Sequence, residues 1–227
     1  MKTETPTNVR PVIVGRYQAA GSNRFLPLSM QEVERGRDHM QRILSSFDFE
    51  MGSYVVLISL LDEVAQYLPF ERAVTNNNLV VCSVDNSPND ASRLESILRR
   101  FDVKAIVGVS AVIIDGLEAL GFSAEKLLAG KVVWARADAY DRLCDCPEIT
   151  LRRWLEVGPA VAAECCEGAG AHVDRIEWAV EEVDGEIFLS SRKRRALEFE
   201  RHPCGVKGKV VLTPCKCGNP DPRVVLL

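Results

Sequence analysis

Eight cysteines and three histidines stand among the 227 residues. Six of the cysteines fall in close pairs, Cys144/Cys146, Cys165/Cys166 and Cys215/Cys217, while Cys82 and Cys204 stand alone. In a reducing compartment, clustered cysteines read as metal ligands or reactive thiols before disulfides. The turn Pro214-Cys215-Lys216-Cys217-Gly218 can aim both sulfurs at one point, because its glycine lets the backbone fold tightly. Cys165 and His172 lie seven residues apart with Gly168 and Gly170 between them, so that loop can turn back and present thiolate and imidazole together. Cys165, His172, Cys215 and Cys217 then supply the four nitrogen and sulfur donors of a tetrahedral structural zinc site. With no open position, such an ion would stabilise the fold and activate no water. Cys144 and Cys146 compete as a second ligand pair, and read as two unpaired thiols before Pro147. In an extended segment Cys166 points away from its neighbour and is not a ligand.

Other reactive pairs are weaker. His202 and Cys204 would share one face of a strand, so thiol and imidazole could approach. No orienting acid or oxyanion donor accompanies them, and the pairing reads as coincidence. Asp62-Glu63 opens a helix, where acids suit the N-terminal dipole. Trp134 and Trp178 read as core.

These residues need elements to position them. Ser29 with Glu32 forms a capping-box pattern and starts a helix over 30–46. Apolar runs at 54–59, 79–84, 104–109 and 131–135 read as buried strands, with helices at 62–73, 90–101 and 111–120 between them. Continuous β-branched strands alternating with helices imply a parallel sheet covered on both faces. From Ala160 the segments 160–164, 178–183, 186–190, 197–201 and 209–212 are short and separated by turns such as Asp184-Gly185, which reads as antiparallel meanders. The fold class is therefore α/β: a parallel-sheet core with helices on both faces, followed by a smaller antiparallel β-rich part. Residues 1–10 read as a loose N-terminus, 11–157 as the α/β core and 158–227 as the β-rich, zinc-bearing part.

Composition narrows the function. Hydrophobic residues are 47% and charged residues 26%, which excludes a mostly disordered chain. A net charge of −4 gives no global drive onto nucleic acid or anionic lipid. The start, Met1-Lys2-Thr3-Glu4-Thr5-Pro6, has no apolar core of a signal peptide, and the apolar stretch 54–61 is far short of the ~20 residues that span a membrane. A cytoplasmic protein with no nucleic-acid or membrane partner is expected.

The order of features then becomes informative. Glu164-Cys165, His172, Glu181, Gly185-Glu186, Arg201 and Pro214-Cys215-Lys216-Cys217-Gly218 together resemble the phenylacetate–CoA ligase-like branch of the AMP-forming acyl-CoA ligases. The resemblance runs from about Gly15 to Arg223 and is specific in the last third. It implies that the Cys and His residues bind structural zinc, and that Glu156 and Arg201 belong to the cofactor-binding motifs. It also implies losses. The phosphate loop is reduced to Ala19-Ala20-Gly21-Ser22-Asn23-Arg24. The aromatic-Gly-x-Thr-Glu motif keeps only Glu156, with Leu155 where a hydroxyl stood. The aspartate that grips the ribose is Val206, which accepts no hydrogen bond. The mobile C-terminal domain, which would follow the Cys-x-Cys-Gly turn, is expected to be absent.

The resemblance thus implies a shortened homologue with a poor grip on ATP and AMP, impaired in adenylation. Such a chain would act as an accessory module binding an acyl or aryl group, a CoA thioester or a partner protein, with a homodimer by analogy. The alternative is a residual or split acyl-CoA ligase, or an acyl transferase using a pre-activated donor. The run Arg192-Lys193-Arg194-Arg195 reads as a solvated basic turn, and would suit the phosphates of CoA better than DNA.

Overall fold

The computed structural model describes residues 4–19 and 21–227. The chain opens with β1 (Glu4–Pro6) and a hairpin of β2 (Ile13–Ala19) and β3 (Ser22–Leu28). Helix α1 (Met30–Leu44) begins at Ser29, whose hydroxyl accepts from the Glu32 amide while the Glu32 carboxylate accepts from the Ser29 backbone. This is the expected capping box, and it fixes where the helix starts. An alternation follows: β4 (Tyr54–Ser59), α2 (Val64–Asn76), β5 (Val80–Asp85), α3 (Ala91–Arg100), β6 (Val103–Val109), α4 (Ala111–Ala119), α5 (Ala124–Leu128), β7 (Val132–Ala135) and α6 (Ala137–Leu143). The last third holds β8 (Thr150–Val157), β9 (Ala160–Glu164), β10 (Ala171–His172), β11 (Trp178–Val183), β12 (Glu186–Ser191), β13 (Leu197–Phe199), β14 (His202–Val211) and β15 (Arg223–Leu226).

Eleven strands join in one sheet, in the order β11-β12-β14-β15-β10-β9-β8-β7-β6-β4-β5. From β5 to β8 all neighbours are parallel; from β8 to β11 all are antiparallel. Side-chain alternation explains the layers. Val56 and Ile58 pack with Leu94, Ile113 and Leu117 beneath α3 and α4, while Val55 and Leu57 pack with Met40, Ile43 and Phe70 beneath α1 and α2. Strands sandwiched this way have no polar face, hence their uninterrupted apolar runs. A third core, including Tyr17, Leu26, Val157, Val173, Ile187 and Phe199, joins the β2–β3 hairpin to the antiparallel half.

The reversal at Gly158-Pro159 changes strand direction, and one sheet runs through it, because β8 pairs with β7 on one side and β9 on the other. Two expectations need correction. Residues 4–6, expected to be loose, pair with β13, fastened by Arg24 Nη1 on Glu4 Oε1 at 2.8 Å; residues 1–3 lie outside the described part. The basic turn is not wholly solvated: Arg195 is buried, paired with Glu32 and Glu177 and stacked over Trp178 at 4.2 Å. Its charge is drawn inward by those two buried carboxylates, while Arg192, Lys193 and Arg194 remain exposed. Among the described residues no helix is long and apolar enough to cross a membrane.

Candidate functional site

The four proposed ligands meet. Cys165 follows β9, His172 lies on β10, and Cys215 and Cys217 sit in the loop from β14 to β15. β10 pairs with both β9 and β15, so the sheet itself brings these segments together. One donor atom from each residue lies within 4.8 Å of every other. Cys165 Sγ is 3.7 Å from Cys215 Sγ, and Cys217 Sγ is 3.7 Å from His172 Nε2. A tetrahedral ion with bonds of about 2.3 Å sets sulfurs about 3.8 Å apart, so the spacing fits a metal of that size.

The surroundings prepare the donors. His172 Nδ1 lies 3.1 Å from the Asp221 carbonyl, to which it donates, leaving Nε2 bare toward Cys217. Burial pushes the imidazole down to about 4, against the pull of that carbonyl, so the ring is neutral and ligand-ready. Burial raises the Cys165 and Cys217 thiols. At Cys215 burial also opposes ionisation, but the Cys217 amide and the neighbouring thiols donate to it and leave it lowered. Gly218 takes φ +84°, the left-handed backbone that closes the turn behind Cys217. The other cysteine pair shows nothing comparable. Cys144 is exposed and donates to its own helix at the Asp141 carbonyl, and Cys146 packs against the core beneath α6.

Asp221, between two prolines, anchors the loop that carries Cys215 and Cys217. Its carboxylate meets His39 Nδ1 at 3.1 Å and Arg42 Nη2 at 2.9 Å, and Arg42 also holds Asp174 Oδ1 at 3.0 Å. His39, Asp174 and Asp221 lie close enough to hold an ion. Arg42 already neutralises both carboxylates, so the group is an ion-pair network tying the loop to α1. Burial would raise the Asp221 carboxyl, but the His39 and Arg42 contacts outweigh it and hold it at about 2. A carboxyl depressed in the fold adds stability above its unfolded value of 3.8, lost as pH falls through the folded value. Stability is therefore expected to decline between about pH 4 and pH 2, and Asp221→Asn to flatten that decline in acid-unfolding curves.

A second feature is a cleft of about 390 Å³ at the ends of β8 and β14, lined by Trp154, Leu155, Glu156, Cys204, Val206 and Arg136 among others. Glu156 and Val206, matched to two different motifs of the resemblance, thus face one space. Arg136 Nη1 lies 3.8 Å from Glu156 Oε1. Both Arg136 η-nitrogens are held by Glu63 at 2.6 Å, and the Gly108 and Ile58 carbonyls take further bonds. Arg16 Nη2 reaches the same Glu63 at 2.7 Å. Burial raises the Glu156 carboxyl against the pull of Arg136, whereas Glu63, although burial opposes its charge too, is carried down by its guanidinium partners and the Leu60 amide. The cleft therefore presents an apolar wall, the carboxyls of Glu156 and Asp138, and a guanidinium whose charge is largely spent inside the protein.

Other candidates are not brought to it. Arg201 lies on the turn between β13 and β14 at φ +41°, with its side chain 60% exposed and facing Glu181 Oε2 at 3.5 Å. The 19–24 stretch is the end of the β2–β3 hairpin, turning at Gly21 with φ +75°; Ala20 lies outside the described residues. Cys204 donates to the His202 carbonyl rather than its ring, and burial pushes the thiol up to about 12, so no nucleophile forms. Sequence reasoning missed Arg136, Glu63 as its partner, and Asp221. Only Asp221, held between Pro220 and Pro222, carried a local signal.

No family model matches the sequence, and neither does any curated protein. Solved structures do. An open conformation of 2-hydroxyisobutyryl-CoA ligase, in complex with 2-HIB-AMP and CoA, matches with TM-score 0.73 and 11% identity over 96% of this chain and 56% of that one. A long-chain-fatty-acid CoA ligase assignment from Rhodopseudomonas palustris matches with TM-score 0.54 and 14% identity over 94% and 58%. A malonyl-CoA ligase with methylmalonyl-CoA and AMP bound matches with TM-score 0.52 and 13% identity over 96% and 53%. The chain spans little more than half the length of these structures, and the likeness is one of fold: a mixed α/β architecture shared with acyl-CoA ligases.

Proposed function

We propose that this chain is a zinc-stabilised module of the phenylacetate–CoA ligase-like type, which binds an acyl or aryl group or its CoA thioester and adenylates poorly. The observation that carries the reading is the cleft in which Glu156 and Val206 meet. In the resembled enzymes the residue at position 206 is an aspartate gripping the ribose. A valine there offers a ribose nothing, and Leu155 offers a phosphate nothing. What remains suits an uncharged chain or ring: apolar walls, with Glu156, Asp138 and Gln18 as polar contacts. Zinc, when bound by Cys165, His172, Cys215 and Cys217, supplies a cross-link between β9–β10 and the loop before β15. The acidic net charge and ordinary composition support a cytoplasmic setting without nucleic acid.

Calorimetric titration tests this. Aryl- or acyl-CoA thioesters are expected to bind, and AMP to bind weakly. Val206→Asp restores an acceptor for two hydroxyls. Charge-assisted bonds contribute about 1.5–3 kcal/mol each, so AMP affinity is expected to rise at least about tenfold. Tight AMP binding by the unaltered protein, or thioester formation from ATP, would instead support the residual-ligase alternative.

A further inference from the structure

β11 is an edge strand of the sheet, and beside it lies a cavity of about 410 Å³. It shares no lining residue with the Glu156 cleft and contains none of the four cluster residues. Ile176, Trp178, Val180 and Leu212 form its apolar wall, Arg175 and Arg192 are its charged residues, and no carboxylate lines it. The volume falls in the range of small-molecule sites, about 300–1,000 Å³.

The two arginines are underused. Arg175 brings Nε only to 3.8 Å from Asp221 Oδ1, and its side chain is 56% exposed. Asp221 is already committed to His39 and Arg42. Arg192 is exposed, and among the described residues no side chain pairs with its guanidinium. Elsewhere the protein spends its arginines on buried carboxylates, Arg16 and Arg136 on Glu63, Arg35 on Glu177, Arg42 on Asp221 and Arg195 on Glu32. The apolar wall lacks cover in the same place, with Ile176 43% and Leu212 75% exposed. The backbone around the mouth is fixed. The Arg192 amide donates to the Glu177 carbonyl at 2.8 Å, the Trp178 amide to the Asp174 carbonyl at 2.9 Å, and the Val173 amide to the Pro222 carbonyl at 2.9 Å. An occupant would have to order little beyond two arginine side chains.

Charge and surface together choose the occupant. A cation meets two guanidiniums and no acid. An uncharged apolar molecule covers the wall and leaves the guanidiniums idle. A bare anion does the reverse. A guanidinium matches the paired oxygens of a carboxylate or phosphate, and an apolar body removes Ile176 and Leu212 from water. We propose that this cavity binds a small amphipathic oxyanion, an aliphatic chain or aromatic ring ending in a carboxylate or phosphate. Arg175 and Arg192 take the oxygens, and Ile176, Val180 and Leu212 take the apolar body. The proposal is independent of the acyl-binding reading of the Glu156 cleft.

Calorimetric titration of the full chain with octanoate, phenyl phosphate and inorganic phosphate tests it, with amide NMR to locate the binding. At least one of the two amphiphiles is expected to bind, at least about tenfold more tightly than inorganic phosphate, and the tighter of the two identifies the headgroup. The amides of Ile176, Arg192 and Leu212 are expected to shift and that of Val206 to stay. Arg175→Ala and Arg192→Ala should each weaken the amphiphile at least about tenfold, as charge-assisted bonds are lost. Leu212→Ser should weaken the amphiphile and leave inorganic phosphate unchanged. All three side chains are exposed, so the variants are expected to melt as the unaltered chain does. No binding of either amphiphile at millimolar concentration, equal binding of inorganic phosphate, or shifts confined to the Glu156 cleft overturns the proposal.

Discussion

Cys215→Ser is expected to strip the cysteine cluster of metal and to lower the melting temperature by about 7–20 °C. The reasoning begins with scale. Structural zinc sites contribute about 10–16 kcal/mol in small peptides near neutral pH, while whole domains are stable by only about 5–15 kcal/mol. Even a third of the metal contribution, at about 2–4 °C per kcal/mol for a chain of this size, gives a drop of that order. The local structure explains the sensitivity. β10 has two residues and β15 four, too short to hold register by themselves, and the loop between β14 and β15 contains three prolines and no helix or strand. Without a central ion, three thiols and an imidazole share a space where burial opposes ionisation of Cys165 and Cys217. Elemental analysis under reducing conditions should find about one zinc per chain, as four protein ligands complete one tetrahedral site. Zinc content and melting temperature should fall together in the variant. If the unaltered protein contains no metal and melts at the same temperature with a chelator, the four residues form only a thiol–imidazole network.

Arg136→Met carries the second large effect, an expected loss of about 3 kcal/mol in urea unfolding. Glu63 is 0% exposed and accepts both Arg136 η-nitrogens. Removing one partner of a buried pair costs about 3–5 kcal/mol, because the remaining charge stays out of water. The low end applies because Arg16 still reaches Glu63. The pH dependence has a definite sign. Glu63 is lowered in the fold, so its contribution is complete above the unfolded carboxyl value of 4.5 and fades as pH falls through the folded value. In Arg136→Met that advantage shrinks, so the deficit relative to the unaltered chain should narrow in acid. The double variant Glu63→Gln with Arg136→Met should recover part of the loss, since no buried charge is then left behind. A deficit equal at all pH values would show that Arg136 acts by packing over Tyr67, 5.4 Å from its ring, rather than by charge.

The parallel half was legible in sequence because strands buried on both faces must be apolar throughout, and Tyr54–Ser59 or Val103–Val109 permits little else. The capping box at Ser29 was legible for the same local reason. β8 was not. Its Arg152, Arg153 and Glu156 look like a solvated segment, yet Arg152 is spent on the Cys165 and Cys166 carbonyls, and the Arg153 amide on Glu164. Long-range partners turned a polar run into a central strand. β10, β15, α5 and α6 were too short to leave a periodic trace. The clustering of Cys165, His172, Cys215 and Cys217 was readable because thiol and imidazole spacing is itself a signal. Glu63 does open a helical turn as read, accepting from the Leu60 amide, but its partner Arg136 lies 73 residues away and spacing does not announce that.

The uninterrupted sheet has a consequence for how the molecule comes apart. Its ladder runs from β5 to β11 across the change of strand direction, so there is no seam between the parallel half and the antiparallel half that carries the cysteine cluster. The strand bearing Glu156 and the strand bearing His172 are separated only by β9. Loosening the rim where the thiols meet therefore tugs on the cleft floor within two strand spacings, about 10 Å. Such a chain behaves as one woven panel rather than two hinged plates: a nick at either end frays the whole cloth.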